Sequence, residues 1–167
     1  MDIIDNDELT LADDLKTTIK KESDINIIAD SFSIFAFKEL YRQLKNIERF
    51  RFIFTSPTFT NQQKKEQREF YIPQQNREKN LYGTELEVKL RNELTQNSIS
   101  RDCVKWIEEK AEFKSNNNFN RKINGFITVK NTNNDITSYS PINDFTASEI
   151  LGETENNLIN KIGTVNS

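Results

Sequence analysis

The chain has 167 residues, which is long enough for one domain with its own hydrophobic core, and its formal net charge is −3. It contains no histidine, which excludes a histidine general base, Ser-His-Asp or Cys-His nucleophiles, and every metal site that needs an imidazole. The single cysteine, Cys103, excludes an internal disulfide and a zinc site built from cysteines. We therefore expect a protein of the reducing cytoplasm, and no stretch is apolar enough to predict a membrane span.

The charge is unevenly distributed along the chain. Residues 38–130 contain 19 Lys and Arg against 12 Asp and Glu, a net charge of +7, whereas the segments on either side are acidic. A basic middle segment permits contact with a polyanion such as DNA. On charge alone, an ordinary solvated surface is the preferred interpretation.

The beginning of the chain predicts an arm and a helix. Residues 1–9 have no periodic pattern and are expected to form a flexible arm. Thr10 and Asp13 then make a capping box, with Asp in place of the usual Glu, that begins a helix over residues 10–21.

Residues 25–54 predict a strand–helix–strand unit. The apolar run 25–29 has the composition of a buried strand, and the alternating Phe residues of 50–54 predict a second strand. Between them, Ser31 or Ser33 would cap a helix whose apolar residues recur at helical spacing. Short joints make this a βαβ unit with parallel strands.

The rest of the chain predicts two helices and three strands. A Thr-x-x-Glu box at Thr84 begins a helix over residues 85–95, and an apolar stripe predicts another helix capped by Ser98 or Ser100. The remaining predictions are a surface helix or loop at 61–69, a strand at 111–115, and a β-hairpin formed by residues 123–130 and 136–140 around an Asn-rich turn.

No motif of the sequence predicts a nucleotide or metal site. The four glycines are too scattered for a phosphate-binding loop. Glu85, Glu87 and Lys89 have the spacing of a strand-borne metal site, but the leucine period around them places them on a helix, where they splay apart. We expect no metal and no other cofactor in this segment.

Two stretches carry a family resemblance. The order of a helix at 103–110, strands at 111–115 and 123–129, and the motif SPINDFT at 140–146 resembles one lobe of the phospholipase D superfamily. Residues 12–116, with TSPTF, REFYIP and LYGTE as their most distinctive stretches, are similar to the N-terminal phospholipase-D-like region of large bacterial Swi/Snf-type helicases. Those helicases are often carried near restriction or mobile elements.

The resemblance implies a fold and a domain organisation. The expected fold is an α/β lobe with a mixed, mostly parallel sheet and helices on both faces. The expected domain covers residues 10–152, and residues 153–167 would be a linker toward an ATP-dependent helicase region downstream.

Active lobes of this superfamily use a His-x-Lys pair, an Asp five residues after the Lys, and a Gly-Ser-x-Asn turn. The His attacks phosphorus, and the Lys and Asn hold phosphate oxygens. Aligning the predicted hairpin places Asn124, Phe126 and Asn131 at the His, Lys and Asp positions, and this register is preferred. In either register Ser140 and Asn143 stand in the turn. The alternative register, based on spacing alone, uses Thr128, Lys130 and Asp135.

Neither register contains a histidine, so the resemblance implies a lobe that has lost its nucleophile. The expected function is a non-catalytic accessory module of a DNA helicase or translocase, which contacts DNA or the motor domain of the same chain. The candidate DNA contacts are basic residues of the middle segment: Lys38, Arg42, Arg77, Lys79, Lys89, Arg91, Arg101 and Lys122.

Two other functions stay open at this point. The chain could be a nuclease lobe, hydrolysing phosphodiesters with residues supplied by a second lobe or by the other copy in a homodimer. It could instead be a protein-interaction or structural domain. No membrane partner is expected.

Overall fold

The computed structural model describes residues 2–55, 98–116, 123–153 and 158–164. These residues form an α/β fold with seven strands in one mixed sheet and five helices. The strands are β1 (Asp2–Ile4), β2 (Asp24–Ala29), β3 (Arg49–Phe54), β4 (Ala111–Ser115), β5 (Phe126–Lys130), β6 (Ile136–Ser140) and β7 (Ile159–Thr164). The helices are α1 (Leu11–Thr18), α2 (Ile34–Glu39), α3 (Tyr41–Leu44), α4 (Ser98–Lys110) and α5 (Ala147–Ile150).

The strand order across the sheet is β1-β7-β6-β5-β2-β3-β4. The β2–β3 and β3–β4 pairs are parallel, and the other four pairs are antiparallel. The sheet is therefore mixed, as expected, but the prediction of a mostly parallel sheet is wrong. The prediction failed because the β5–β6 hairpin enters the sheet antiparallel to β2, and β7 and β1 then add two further antiparallel pairs beyond β6.

The strand–helix–strand unit is confirmed, with one difference. Ser33 caps α2 by accepting a hydrogen bond from the Phe35 N–H, and β2 and β3 are parallel. The single predicted helix is instead two short helices, because Leu40 leaves the helical conformation (φ −102°, ψ 13°). Leu40 is fully buried at this break, so packing against the core overrides the helical periodicity.

The core lies on one face of the sheet. Alternate residues of β3 place Phe50, Phe52 and Phe54 in it, and the ring of Phe32 packs edge-on against the first two. Trp106 of α4 packs on Phe50 with ring centroids 4.8 Å apart. Helices were expected on both faces, whereas every helix in the described ranges packs on this one.

Both ends of the chain contribute strands. Residues 2–4, predicted as a flexible arm, form β1, and residues 159–164, predicted as part of a linker, form β7. The two strands pair with Ile4 opposite Ile159, and both side chains are buried.

Several other predictions are confirmed. Thr10 caps α1 through the Asp13 N–H, the apolar stripe forms the helix α4, and the hairpin forms β5 and β6. Helix α4 includes both Ser98 and Ser100, so neither serine is confirmed as its cap. The predicted elements at 61–69 and 85–95 lie outside the described residues. Among those that are described, no helix is both long and apolar enough to cross a membrane.

Candidate functional site

The sheet brings several candidate residues to one edge. Because β5 runs antiparallel to β2, the start of β5 and the end of β6 lie beside the carboxyl end of β2. Asn124 lies two residues before the start of β5, Phe126 lies opposite Ile28 of β2, and Ser140 ends β6. In open α/β sheets, ligands bind outside the carboxyl ends of the parallel strands. This edge is therefore the first place to examine for a functional site.

A loop of residues 141–146 closes this edge. The Ile142 N–H donates to the Gly125 carbonyl at 3.0 Å, and a Cβ at Gly125 would lie only 1.8 Å from the Ile142 carbonyl oxygen. Only glycine allows the loop to approach the strand so closely. The Asp30 N–H donates to the Asn143 carbonyl at 2.7 Å, which ties the loop to the end of β2.

Side chains at this edge form what we call the edge cluster, which comprises Asp30, Ser31, Thr55, Asp144 and Glu149. The Ser31 hydroxyl donates to Asp144 Oδ1 at 2.6 Å, and the Thr55 hydroxyl donates to Asp30 Oδ1. Glu149 is buried, and its Oε1 accepts from the Asn143 N–H at 3.3 Å. The cluster thus joins β2, β3 and the loop.

The chemistry of the edge cluster differs from that of a phosphate site. Three of its five members are carboxylates, which repel the oxygens of a phosphodiester. Carboxylates suit hydrogen-bond donors or cations, yet no group of Asp, Glu and Cys in the described part of the chain has the arrangement of a metal site. The hydrogen bonds given above use these side chains to hold the loop.

Asn131 lies away from the other candidate positions. It follows β5, at the opposite end of that strand from Asn124. Its Nδ2 donates to the Thr18 carbonyl at 3.1 Å, and its Oδ1 accepts from the Ser23 hydroxyl. Asn131 therefore closes the end of α1, while Asn124, Ser140 and Asn143 share the edge described above.

The residues of the alternative register are more widely separated from that edge. Thr128 lies in the middle of β5, opposite Asn26 and Ser138 on the face without described helices. Lys130 and Asp135 flank the Asn-rich turn at the far end of the hairpin. This register brings no candidate residue next to Asn143.

A buried polar network lies between α1 and the sheet, and sequence reasoning missed it. Asp14 accepts from the Tyr139 hydroxyl at 2.6 Å and from Lys161 Nζ at 2.9 Å. Burial, followed by the hydrogen bond to Asp14, raises the pKa of Tyr139 far above its usual value. Since Tyr139 is fully buried and Asp14 nearly so, the network links α1 to β6 and β7 and offers no open surface.

The described basic candidates lie on the helical layer. Lys38, Arg42 and Arg101 are exposed on α2, α3 and α4. These helices adjoin, since Phe37 packs on Trp106 at 5.0 Å and the Tyr41 hydroxyl donates to Asp102 Oδ2 at 3.3 Å. The other five candidates lie outside the described residues: Arg77, Lys79, Lys89, Arg91 and Lys122.

Two further exposed cations adjoin these three. Lys45 lies with its Nζ 5.8 Å from the Tyr41 ring centroid, and Lys105 follows Arg101 by one helical turn. The i, i+4 spacing of Arg101 and Lys105 within α4 was the signal that could have identified Lys105, whereas Lys45 is the C-cap of α3, three residues after Arg42. We call the five residues the helix-layer basic patch: Lys38, Arg42, Lys45, Arg101 and Lys105.

Comparison of the chain with protein-family models, with curated proteins and with solved structures gives no match.

Proposed function

We propose that the chain is a non-catalytic module, built like a phospholipase-D lobe, that contacts the DNA backbone beside a helicase or translocase motor. The observation that carries the DNA contact is the helix-layer basic patch, which presents four exposed cations on adjoining helices and a fifth, Lys45, at the C-cap of α3. A downstream motor domain is the second partner that we propose for such a module, besides DNA.

The candidate positions support the architecture in part. The resemblance implies that the nucleophile position and the Gly-Ser-x-Asn turn lie together, and Asn124, Ser140 and Asn143 do share one edge of the sheet. Asn131 departs from the expected arrangement, since it closes the end of α1.

The chemistry at that edge supports a module without hydrolytic activity. An amide such as Asn124 cannot form the covalent phosphoryl intermediate that a histidine forms, and Phe126 cannot neutralise a phosphate oxygen. The carboxylates of the edge cluster, Asp30 and Asp144 among them, would repel a bound phosphodiester. Binding through a different surface is therefore the better interpretation.

The electrostatics of the patch support backbone contact. Among the described residues, the patch takes part in one ion pair, which joins Lys105 to Glu109 within α4 with a nitrogen–oxygen distance of 3.9 Å. Exposed cations without a carboxylate partner can bind phosphates at little cost, because no internal ion pair has to break. Contacts of this kind position a duplex without reading its sequence.

A salt titration of DNA binding tests the proposal. Fluorescence anisotropy with a labelled duplex is expected to show a log–log dependence on salt, with a slope of about −3 to −4.5 if three to five phosphates are neutralised. Affinity that does not change with salt, or no binding at the lowest salt concentration, would reject DNA as the partner.

A further inference from the structure

Strands β1 and β7 bury little of their own surface. Within the described part of the sheet, β1 pairs with no strand except β7, and β7 in turn pairs with β6. Ile4 is the one buried residue of β1, and Ile159 is the one buried residue of β7. Each of the central strands β2 and β3 buries three residues. Because apolar burial is the main source of stability, β1 and β7 are held less strongly than the centre of the sheet.

A tight turn fixes the end of β1 that leads to α1. Asn6 has a left-handed backbone (φ 61°), and its Oδ1 accepts a hydrogen bond from the Leu11 N–H at 2.9 Å. Within the turn, Asp5 Oδ1 accepts from the Asp7 N–H at 3.0 Å. Gly152 lies against Asn6, since a Cβ at Gly152 would be 2.6 Å from the Asn6 Cβ. The turn is therefore attached to α1 and to the residues after α5, whereas the strand itself depends on β7 for its pairing.

A polar side chain fastens β7 to helix α1. Lys161 lies on the same face of β7 as Ile159, and its Nζ donates to Asp14 Oδ1 at 2.9 Å. The side chains of Lys161 and Asp14 are 24% and 9% exposed, so this ion pair is better shielded from solvent than the others among the described residues. The last three residues of β7 are exposed, and there the Thr164 hydroxyl donates to the Ile136 carbonyl at 3.3 Å. Ile159 and Lys161 therefore contribute most to the attachment of β7 to the helix layer.

We propose that β1 and β7 form a two-stranded flap that opens from β6 as a unit, and that the Asp14–Lys161 ion pair is its latch. The flap turns about the Asn6 turn, so β1 stays attached to α1 when β7 leaves the sheet. The latch favours the closed state, because an open flap takes the cation away from a carboxylate that is nearly buried. The Asp14 carboxylate then keeps the hydrogen bond from the Tyr139 hydroxyl, which belongs to β6 and not to the flap.

Opening changes the edge that the sheet presents to other molecules. With the flap closed, β6 pairs with β7 along residues 136–140. With the flap open, the backbone N–H and C=O groups of β6 that bonded to β7 lose their partners, and an unpaired edge is a template for another extended chain. Lys161 thus controls whether the edge of β6 is available for pairing. The flap does not depend on the proposed DNA contact, which uses α2, α3 and α4.

Native-state hydrogen exchange of the whole chain, followed by NMR, tests whether the flap opens separately from the rest of the fold. Lys161→Met is expected to speed amide exchange in both β1 and β7 by at least about tenfold, because it removes the latch. The matched control is Ile27→Val, a change in the buried centre of β2. It is expected to speed exchange in β2 and β3 by about twofold to tenfold and to leave β1 and β7 unchanged, since opening the flap leaves that part of the core folded.

A disulfide lock provides a second test. Ser138 and Ile162 lie directly opposite each other in β6 and β7, so oxidising Ser138→Cys/Ile162→Cys is expected to slow exchange in β1 and β7 at least about tenfold relative to the reduced form. The control, Thr128→Cys/Ser138→Cys, joins β5 to β6 and should leave both strands unchanged.

Three results would overturn the flap. The first is an Ile27→Val variant that speeds exchange in β1 and β7 as much as in β2 and β3, and the second is a Lys161→Met variant that leaves β1 unchanged. The third is an oxidised Ser138→Cys/Ile162→Cys lock without effect on β1 and β7.

Discussion

Asp14 and Lys161 form an ion pair at 2.9 Å that connects helix α1 to strand β7, across 147 residues of sequence. The Tyr139 hydroxyl completes the environment of the carboxylate with a second hydrogen bond. Neither Asp14 nor Lys161 belongs to the edge cluster or to the basic patch, so their role in this fold is structural.

Replacing Lys161 with Met is expected to destabilise the fold by about 2 kcal/mol, because the Asp14 carboxylate would keep its burial and lose its cation. Lys16→Met is the matched control, since the Lys16–Glu39 pair is about a third exposed and is expected to contribute under about 1 kcal/mol. Urea unfolding measures both values. Equal decreases in the unfolding free energy of the two variants would show that the buried network contributes no more to stability than the partly exposed ion pair does.

The pKa of Tyr139 gives the fold a pH dependence in alkaline solution. Burial raises this pKa above the ordinary value of 10, so the folded chain holds the proton more tightly than the unfolded chain. This contribution to stability is complete below pH 10 and is lost as the pH rises further. Unfolding free energies of wild type and Tyr139→Phe, compared between neutral pH and pH 11, should show a steeper decline for wild type; parallel declines would contradict it.

Gly125→Ala is expected to destabilise the fold by about 3 kcal/mol. The new Cβ would lie 1.8 Å from the Ile142 carbonyl oxygen, so the backbone of one of the two segments would have to move. Gly163→Ala provides the control, since the nearest atom to its Cβ is 3.9 Å away. Its stability should change by less than about 0.5 kcal/mol. Differential scanning calorimetry distinguishes the two outcomes. A Gly125→Ala chain with the same melting temperature as the wild type would disprove the close approach of the 141–146 loop to Gly125.

The proposed absence of hydrolysis is tested by plasmid nicking in the presence of EDTA, because phospholipase-D-like chemistry needs no metal. We expect both the wild-type chain and Asn143→Ala to leave the plasmid intact at background rates. Nicking by wild type that Asn143→Ala abolishes would instead support the nuclease alternative.

Local patterns predicted much of the fold. The Thr10 cap, the alternating phenylalanines of β3 and the hairpin of β5 and β6 each depend on residues close in sequence, so their periodicity and turn chemistry were sufficient. The same hairpin brings Asn124 and Ser140 to one edge of the sheet.

Long-range pairings could not be predicted in the same way. The β1–β7 pair joins the two ends of the described chain, and three-residue β1 has no periodicity of its own. The Ser31–Asp144 hydrogen bond and the Asp14–Lys161 ion pair depend on the order of strands in the sheet. No spacing in the sequence specifies that order, so the edge cluster and the buried network emerged only from the structure.

The measurement that tests the central proposal most directly is the DNA affinity of two variants with the same change in net charge. Lys38→Gln/Arg42→Gln/Arg101→Gln removes three cations from the helix-layer basic patch. The control variant removes three exposed cations from the face without described helices: Arg49→Gln/Arg51→Gln/Lys114→Gln.

Anisotropy titrations at low salt are expected to show a loss of about tenfold or more for the patch variant, with a shallower salt dependence, and a change within about threefold for the control. Equal losses in the two variants, or an unchanged affinity in the patch variant, would contradict the proposal that this helical surface contacts DNA.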